Sequence, residues 1–169
     1  MPIAPSPINE QVVREAVVRA VQGVFRTMIG KEAVLVSVDS TPTEPDPGQP
    51  AQILGSVGFV GEANGLVYLR LDEAFAGELT GLILGMSPAE VEMSGVEVVN
   101  DAIGEVTNMT VGGFKNALCD LGYPCKLTLP TIVRGRQLLI ATVKSATRHI
   151  LRFETEGRSL TVDIQLKQD

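Results

Sequence analysis

The stretch from Ser94 to Leu121 constrains this chain more than any other, because it reads as one long helix with two unlike faces. At about 100° per residue, Val99, Ile103, Val106, Thr110, Phe114, Ala117 and Leu121 gather on one side, the pattern of a helix that packs on a sheet. Asp101, Glu105, Asn108 and Gly112 gather on the opposite side, at successive spacings of four, three and four. Ser94-Gly95-Val96-Glu97 has the form of a capping box at the start, and Gly122, with Pro124 just beyond, marks the end. Most polar lines on helices are solvated faces. Here Asp101 and Glu105 place like charges four residues apart, a small local cost, and Gly104, Gly112 and Gly113 inside the helix each cost up to about 1 kcal/mol relative to Ala. Glycines beside a polar line let another backbone come close. The residues alone leave a partner-facing helix and a plain solvated face both open.

The rest of the chain supplies something for that helix to pack on. Ile8 to Ile29 carries apolar residues at threes and fours, with Gly30 as its stop. Ala33 to Val38 reads as a buried strand, and Ser40 to Pro50, with four prolines, as an exposed loop. Ile53 to Val60 and Leu66 to Leu71 read as a hairpin with its turn at Asn64-Gly65. Asp72 to Gly85 reads as a helix with Leu79, Leu82 and Ile83 on one side, and Ser87-Pro88-Ala89-Glu90 as a further capping box. Lys126 to Leu129 reads as a short edge strand ending at Pro130. Gln137 to Ser145, Ile150 to Thr155 and Ser159 to Leu166 follow as strands, with Gly135 and Gly157 at their turns. The order is helix, loop, strands, twice over. It predicts an α+β domain spanning residues 1–169, built from two similar helix-plus-strands halves, with long helices packed on a mainly antiparallel sheet.

Composition narrows the function classes. A formal net charge of -6 argues against nucleic acid and against an anionic membrane surface. The opening residues, MPIAPSPINEQ, lack the basic and apolar regions of a signal peptide, and the apolar stretch around Leu82 to Met86 is far too short to cross a bilayer. The two cysteines, Cys119 and Cys125, are too few for a disulfide framework and fit reduced thiols of a cytoplasmic protein. His149 is the only histidine and is expected to be structural, which removes His-dependent triads and most zinc sites. Arg134 and Arg136 flank a turn and are expected to be solvated.

Asp101-Ala-Ile-Gly-Glu105-Val-Thr-Asn108-Met-Thr-Val-Gly-Gly113 resembles the active helix of the CheC/CheX/FliY phosphatases. That family places an Asp or Ser, a Glu four residues on, an Asn three beyond and a Pro about 22 residues later, which here falls on Pro130. Leu-Pro130-Thr-Ile-Val-Arg-Gly135-Arg and Val24-Phe25-Arg-Thr-Met28-Ile-Gly30 are similar to the CheX branch, in the same order along the chain. Members with two sites repeat the Glu and Asn on the first helix. The equivalent frame here is Ser6, Glu10 and Val13, and Val13 cannot orient water, so a single site is expected.

The resemblance implies an enzyme that hydrolyses the aspartyl phosphate of a CheY-like response regulator. The regulator brings Mg2+ and the phosphoryl group, and no cofactor or metal is expected in this chain. What remains is to place a water in line. Asn108 would orient that water, since an amide offers both a donor and an acceptor. Glu105 would pair with a Lys of the partner, Asp101 would extend the contact, Gly112 would give the partner's loops clearance, and Pro130 would complete the partner-binding surface. The resemblance also implies a homodimer joined through its sheets, and the apolar run Gln137 to Ser145 is an expected edge for it. The alternative is a non-catalytic binding module for a response regulator or flagellar component.

Overall fold

Asn9 opens the first helix, α1 (Glu10–Val24), by accepting a hydrogen bond from the Val12 N–H at 2.9 Å. Val13, Ala16, Val17, Ala20, Val21 and Val24 are buried at the predicted threes and fours. The chain then widens into a π-helical turn, Phe25–Ile29, which buries both Phe25 and Ile29. Gly30 closes the turn at φ 75°, its N–H donating to the Phe25 carbonyl at 2.7 Å; only glycine enters this left-handed region without steric cost. The computed structural model describes residues 5–168. Met1 to Ala4, part of the opening judged to lack a signal peptide, lie outside the described residues.

The strands are β1 (Val34–Asp39), β2 (Gln52–Gly61), β3 (Ala63–Asp72), β4 (Cys125–Leu127), β5 (Thr131–Gly135), β6 (Thr147–Thr155) and β7 (Arg158–Gln168). They form one antiparallel sheet in the order β1-β6-β7-β3-β2-β4, with β5 also on β2. That order makes the two halves visible. The central strands β3 and β7 come one from each half, and β2 and β6 lie outside them. β1 of the first half caps β6 of the second, while β4 and β5 of the second cap β2 of the first. Each half therefore completes the other's hairpin, and neither has a whole sheet of its own.

Three further helices are α2 (Glu73–Leu84), α3 (Pro88–Ser94) and α4 (Val96–Asp120). Asp72 caps α2 by accepting from the Phe75 N–H at 2.7 Å, and Ser87 forms the predicted capping box of α3 with Glu90. α1 and α4 pack side by side on one face of the sheet. Gly113 sets how close α4 comes to α1, and Gly55 how close it comes to the sheet. A Cβ on Gly113 would stand 3.0 Å from the Ala20 Cβ, and one on Gly55 would stand 2.2 Å from the Thr107 hydroxyl. The rings of Phe59 and Phe114 meet edge to face with centroids 5.8 Å apart.

Several local expectations are corrected. β1 is an edge strand, half exposed through Val34 and Val36, because only one side of it has a partner. Asn64-Gly65 lies within β3, and the chain reverses at Gly61 to Ala63. Gly65 is there because a Cβ would strike the Gln165 carbonyl and the Phe59 ring. Ser94 does not cap α4: its hydroxyl donates back to the Glu90 carbonyl at 2.7 Å, and Gly95 takes the N-cap at φ 89°. Leu82 and Leu121 are exposed although both fall on predicted apolar sides. The short strand falls at Cys125–Leu127, and a further strand, β5, follows Pro130.

The largest correction is Gln137 to Ser145, which forms no strand. The segment runs over the sheet face opposite the helices, where Arg70, Arg148, Asp163 and Gln165 alternate with core residues. Arg70 donates to the Leu138 carbonyl at 2.8 Å, Arg148 to the Thr142 hydroxyl at 2.7 Å, and Gln165 to the Ala141 carbonyl at 2.8 Å. Sheet side chains thus take the place of a backbone ladder. Arg148 is itself held by a two-pronged, buried pair with Asp163 at 2.6 and 3.0 Å. The segment is not a free edge and cannot join two copies by strand pairing.

Candidate functional site

α4 is held from within along most of its length. Val99, Ala102, Ile103, Val106, Thr107, Thr110, Val111, Phe114 and Leu118 are buried against the sheet and α1. At its C-terminus the Tyr123 N–H donates to the Leu118 carbonyl at 2.9 Å and the Gly122 N–H to Cys119 at 3.0 Å, with Gly122 at φ 94°. A helix fixed this firmly presents its remaining face as a rigid strip.

That strip is the predicted line. Asp101 and Glu105 are exposed, and Asn108 and Gly112 are half-buried. The side-chain hydrogen bonds of α4 lie elsewhere: Thr107 and Thr110 donate back to the Ile103 and Val106 carbonyls, and Asn100 accepts from Arg134. Among the described residues none engages Asp101, Glu105 or Asn108. The three helix glycines divide. Gly113 is taken up by contact with Ala20, whereas a Cβ on Gly104 or Gly112 would meet nothing within 4 Å. Gly112 thus leaves open space at the end of the polar line, and no packing within the chain requires it.

Register brings Pro130 alongside α4. Gly55 seats Thr107 of α4 and pairs with Ile132, while Ser56 pairs with Thr131. The other end of β5 is tied near the start of α4, where Arg134 donates from Nε to Asn100 Oδ1 at 2.7 Å and from a terminal nitrogen to Glu73 at 3.2 Å. β5 therefore runs antiparallel to α4, and exposed Pro130 lies beside the middle of that helix. Arg134 was expected to be solvated. It instead ties β5 to both α4 and α2, and a cation placed in the apolar run Ile132-Val133 was the available signal. Leu129, 88% exposed next to Pro130, and Met109, 40% exposed next to Asn108, add apolar surface that periodicity alone did not pick out.

Val13 is fully buried, so the first helix offers no second site at that position. His149 is half-buried with a ring nitrogen 3.3 Å from the Thr147 hydroxyl; burial lowers its pKa, against a weaker opposing pull from Glu10. Arg136 reaches the Gln49 carbonyl from an exposed position. Cys119 and Cys125 are free thiols, and burial raises the pKa of Cys125, with Cys119 adding to the effect. Among the described residues no group of three or more His, Cys, Asp or Glu side chains could hold a metal ion, and no helix is long and apolar enough to cross a membrane. The strip can do one kind of chemistry well: an amide can orient a water while nearby carboxylates hold a cation of a partner.

A family model described as chemotaxis phosphatase CheX matches residues 53–154, a span that contains all of α4 and Pro130. Similar solved structures include a CheC-like superfamily protein from Shewanella sp. PV-4, 24% identical, with TM-score 0.79 over 94% of this chain and 99% of that one. Chemotaxis protein CheX from Vibrio vulnificus is 24% identical, with TM-score 0.78 over 92% and 99%. The CheX–CheY–BeF3–Mg2+ complex from Borrelia burgdorferi is 20% identical, with TM-score 0.74 over 92% and 98%. These likenesses establish the shared fold. No curated protein sequence matches.

Proposed function

The chain belongs to the CheX family of chemotaxis phosphatases, and on that premise we propose that it hydrolyses the aspartyl phosphate of a CheY-like response regulator. The observation that carries this reading is the strip Asp101–Glu105–Asn108–Gly112, a line of unpartnered polar groups and open space on a helix fixed along its other faces. The regulator supplies Mg2+ and the phosphoryl group. Asn108 orients the attacking water, with its carbonyl accepting from the water and its NH2 donating toward the phosphoryl oxygens. An amide is no base at neutral pH, so the rate comes from placement and from charge already gathered on the regulator. Glu105 pairs with a Lys beside the partner's phosphoryl group, Asp101 extends the pairing, and Gly112 with Pro130 admits the partner's loops. The deciding experiment is phosphate release from a CheY-like regulator charged with acetyl phosphate. Release accelerated in proportion to added protein supports the phosphatase; binding of the phosphorylated regulator without acceleration would make the chain a binding module.

Gly112→Ala separates the strip from the fold. Nothing stands within 4 Å of the added methyl, and Ala is the better helix former by up to about 1 kcal/mol. The expected outcome is a chain at least as stable to urea as the wild type, with a several-fold higher KM for the phosphorylated regulator. An unchanged KM would remove Gly112 from the interface.

The proposed assembly is a homodimer that leaves both α4 strips free. With Gln137 to Ser145 folded over the sheet, the edge open to a second copy and away from Pro130 is β1, where Val34 is 57% and Val36 43% exposed. Light scattering is expected to give twice the 18.0 kDa of one chain. A monomer mass at micromolar concentration contradicts the dimer.

A further inference from the structure

A concavity beside α2 has no residue of α4 in its lining. It has a volume of about 800 Å³, is bordered by α2, α3 and the hairpin joining β6 to β7, and opens to solvent. That size suits a small organic ligand. Leu82 and Met86 present its accessible apolar surface, over Phe75, Leu79 and Val91, which are buried in the core beneath. Gly77 on α2 opens into it: a Cβ there would meet nothing within 4 Å. Packing therefore does not explain the glycine, which weakens α2 by about 1 kcal/mol relative to Ala.

Two polar features of the wall point to a ligand. Thr155 is only 7% exposed, yet its hydroxyl has no hydrogen-bond partner among the described residues. A buried hydroxyl without a partner costs about 1–3 kcal/mol, and a group arriving in the cavity can remove that cost. The wall sets the carboxylates of Glu73, Glu78, Glu92 and Glu156 against the cations of Lys31 and Arg158. Lys31 and Arg158 are answered by Glu156 and Glu78, and Glu73 is answered by Arg134. Glu92 is exposed on the same wall, and among the described residues no cation pairs with it.

From these observations we infer that the cavity between α2, α3 and the β6–β7 hairpin binds a small amphipathic amine, its apolar body on Leu82 and Met86 above Phe75, Leu79 and Val91 and its ammonium toward Glu92. The site is independent of the α4 strip and of the phosphatase reading. An anion of the same shape would meet an unpaired carboxylate, so the sign of the ligand's charge is part of the inference.

The test uses 2-(2-naphthyl)ethylamine as the probe and 2-naphthylacetate as the anionic control. The chain has no Trp, so naphthyl fluorescence anisotropy reports on the probe alone. The wild type is expected to bind the amine saturably and the acetate at least tenfold more weakly. Gly77→Leu fills the cavity from a helix position with room for it; it is expected to retain the wild-type melting temperature or exceed it and to bind the amine at least tenfold more weakly. Glu92→Gln and Thr155→Val are each expected to weaken amine binding several-fold, and Glu92→Gln, on an exposed side chain, guards against loss through misfolding. Asn108→Ala is expected to bind the amine as the wild type does. Failure of the wild type to bind the amine, equal binding of the acetate, or undiminished binding in both Gly77→Leu and Glu92→Gln would overturn the inference.

Discussion

Asn108→Ala is expected to lower phosphate release at saturating regulator by about a hundredfold or more while leaving the affinity for the phosphorylated regulator within about twofold. The two halves of that expectation come from different observations. Asn108 makes no hydrogen bond among the described residues and is half-buried on a helix whose opposite side carries the packing. Its amide is thus absent from the ledger of the fold, and Ala is the better helix residue. In the proposed complex the amide touches a water and the phosphoryl oxygens, contacts that matter most when the water is in line and bonding has begun. Interactions made chiefly in the transition state appear in kcat and not in binding. Single-turnover phosphate release, with affinity measured separately against a beryllofluoride-charged regulator, reads both quantities. Release within a fewfold of the wild type would take the water away from Asn108. A matching loss of affinity would turn Asn108 into a docking residue.

How much of this was legible in the sequence depends on what each residue answers to. The α4 strip was legible because two demands, apolar packing inward and an unpartnered polar line outward, wrote themselves at helical spacing on one uninterrupted segment. The two-half reading was legible in the order of elements, although the exchange of edge strands that joins the halves was not, since pairing between distant strands leaves no local mark. Local signals failed where a residue served a distant neighbour. Asn64-Gly65 has the composition of a hairpin turn, yet Gly65 is required by the Phe59 ring and the Gln165 carbonyl, and Asn64 accepts from the Gly61 N–H at 3.1 Å across the turn from within β3. Leu138 to Val143 has the composition of a strand, but its backbone groups are met by Arg70 and Gln165, which lie far away in sequence. β5 was hidden behind Pro130, which lies in the short break, Thr128 to Pro130, between β4 and β5 on their shared partner β2. Arg134 was misjudged for the same reason, because Asn100 and Glu73, its partners, are brought to it only by the fold.

The charge at position 105 offers the sharpest division between fold and interface, because substitution there is expected to move the two in opposite directions. Glu105 is exposed, has no ion-pair partner among the described residues, and stands one helical turn from Asp101, a like charge. Glu105→Lys turns that repulsion into an attractive i,i+4 pair, a gain of a few tenths of a kcal/mol to the helix. Against the regulator the same change puts a cation opposite the proposed Lys, where attraction becomes repulsion. The expected result is a urea midpoint equal to or slightly above that of the wild type, together with an affinity lower by about tenfold or more at low salt. Salt sharpens the reading. Screening weakens attraction and repulsion alike, so wild-type affinity is expected to fall as ionic strength rises, and that of Glu105→Lys to fall less or to recover. Glu105→Gln, which removes the charge without reversing it, belongs between the two. Equal affinities for all three proteins across the salt series would place Glu105 outside the interface, and the strip would then keep only Asn108 and the open space at Gly112 as its functional content.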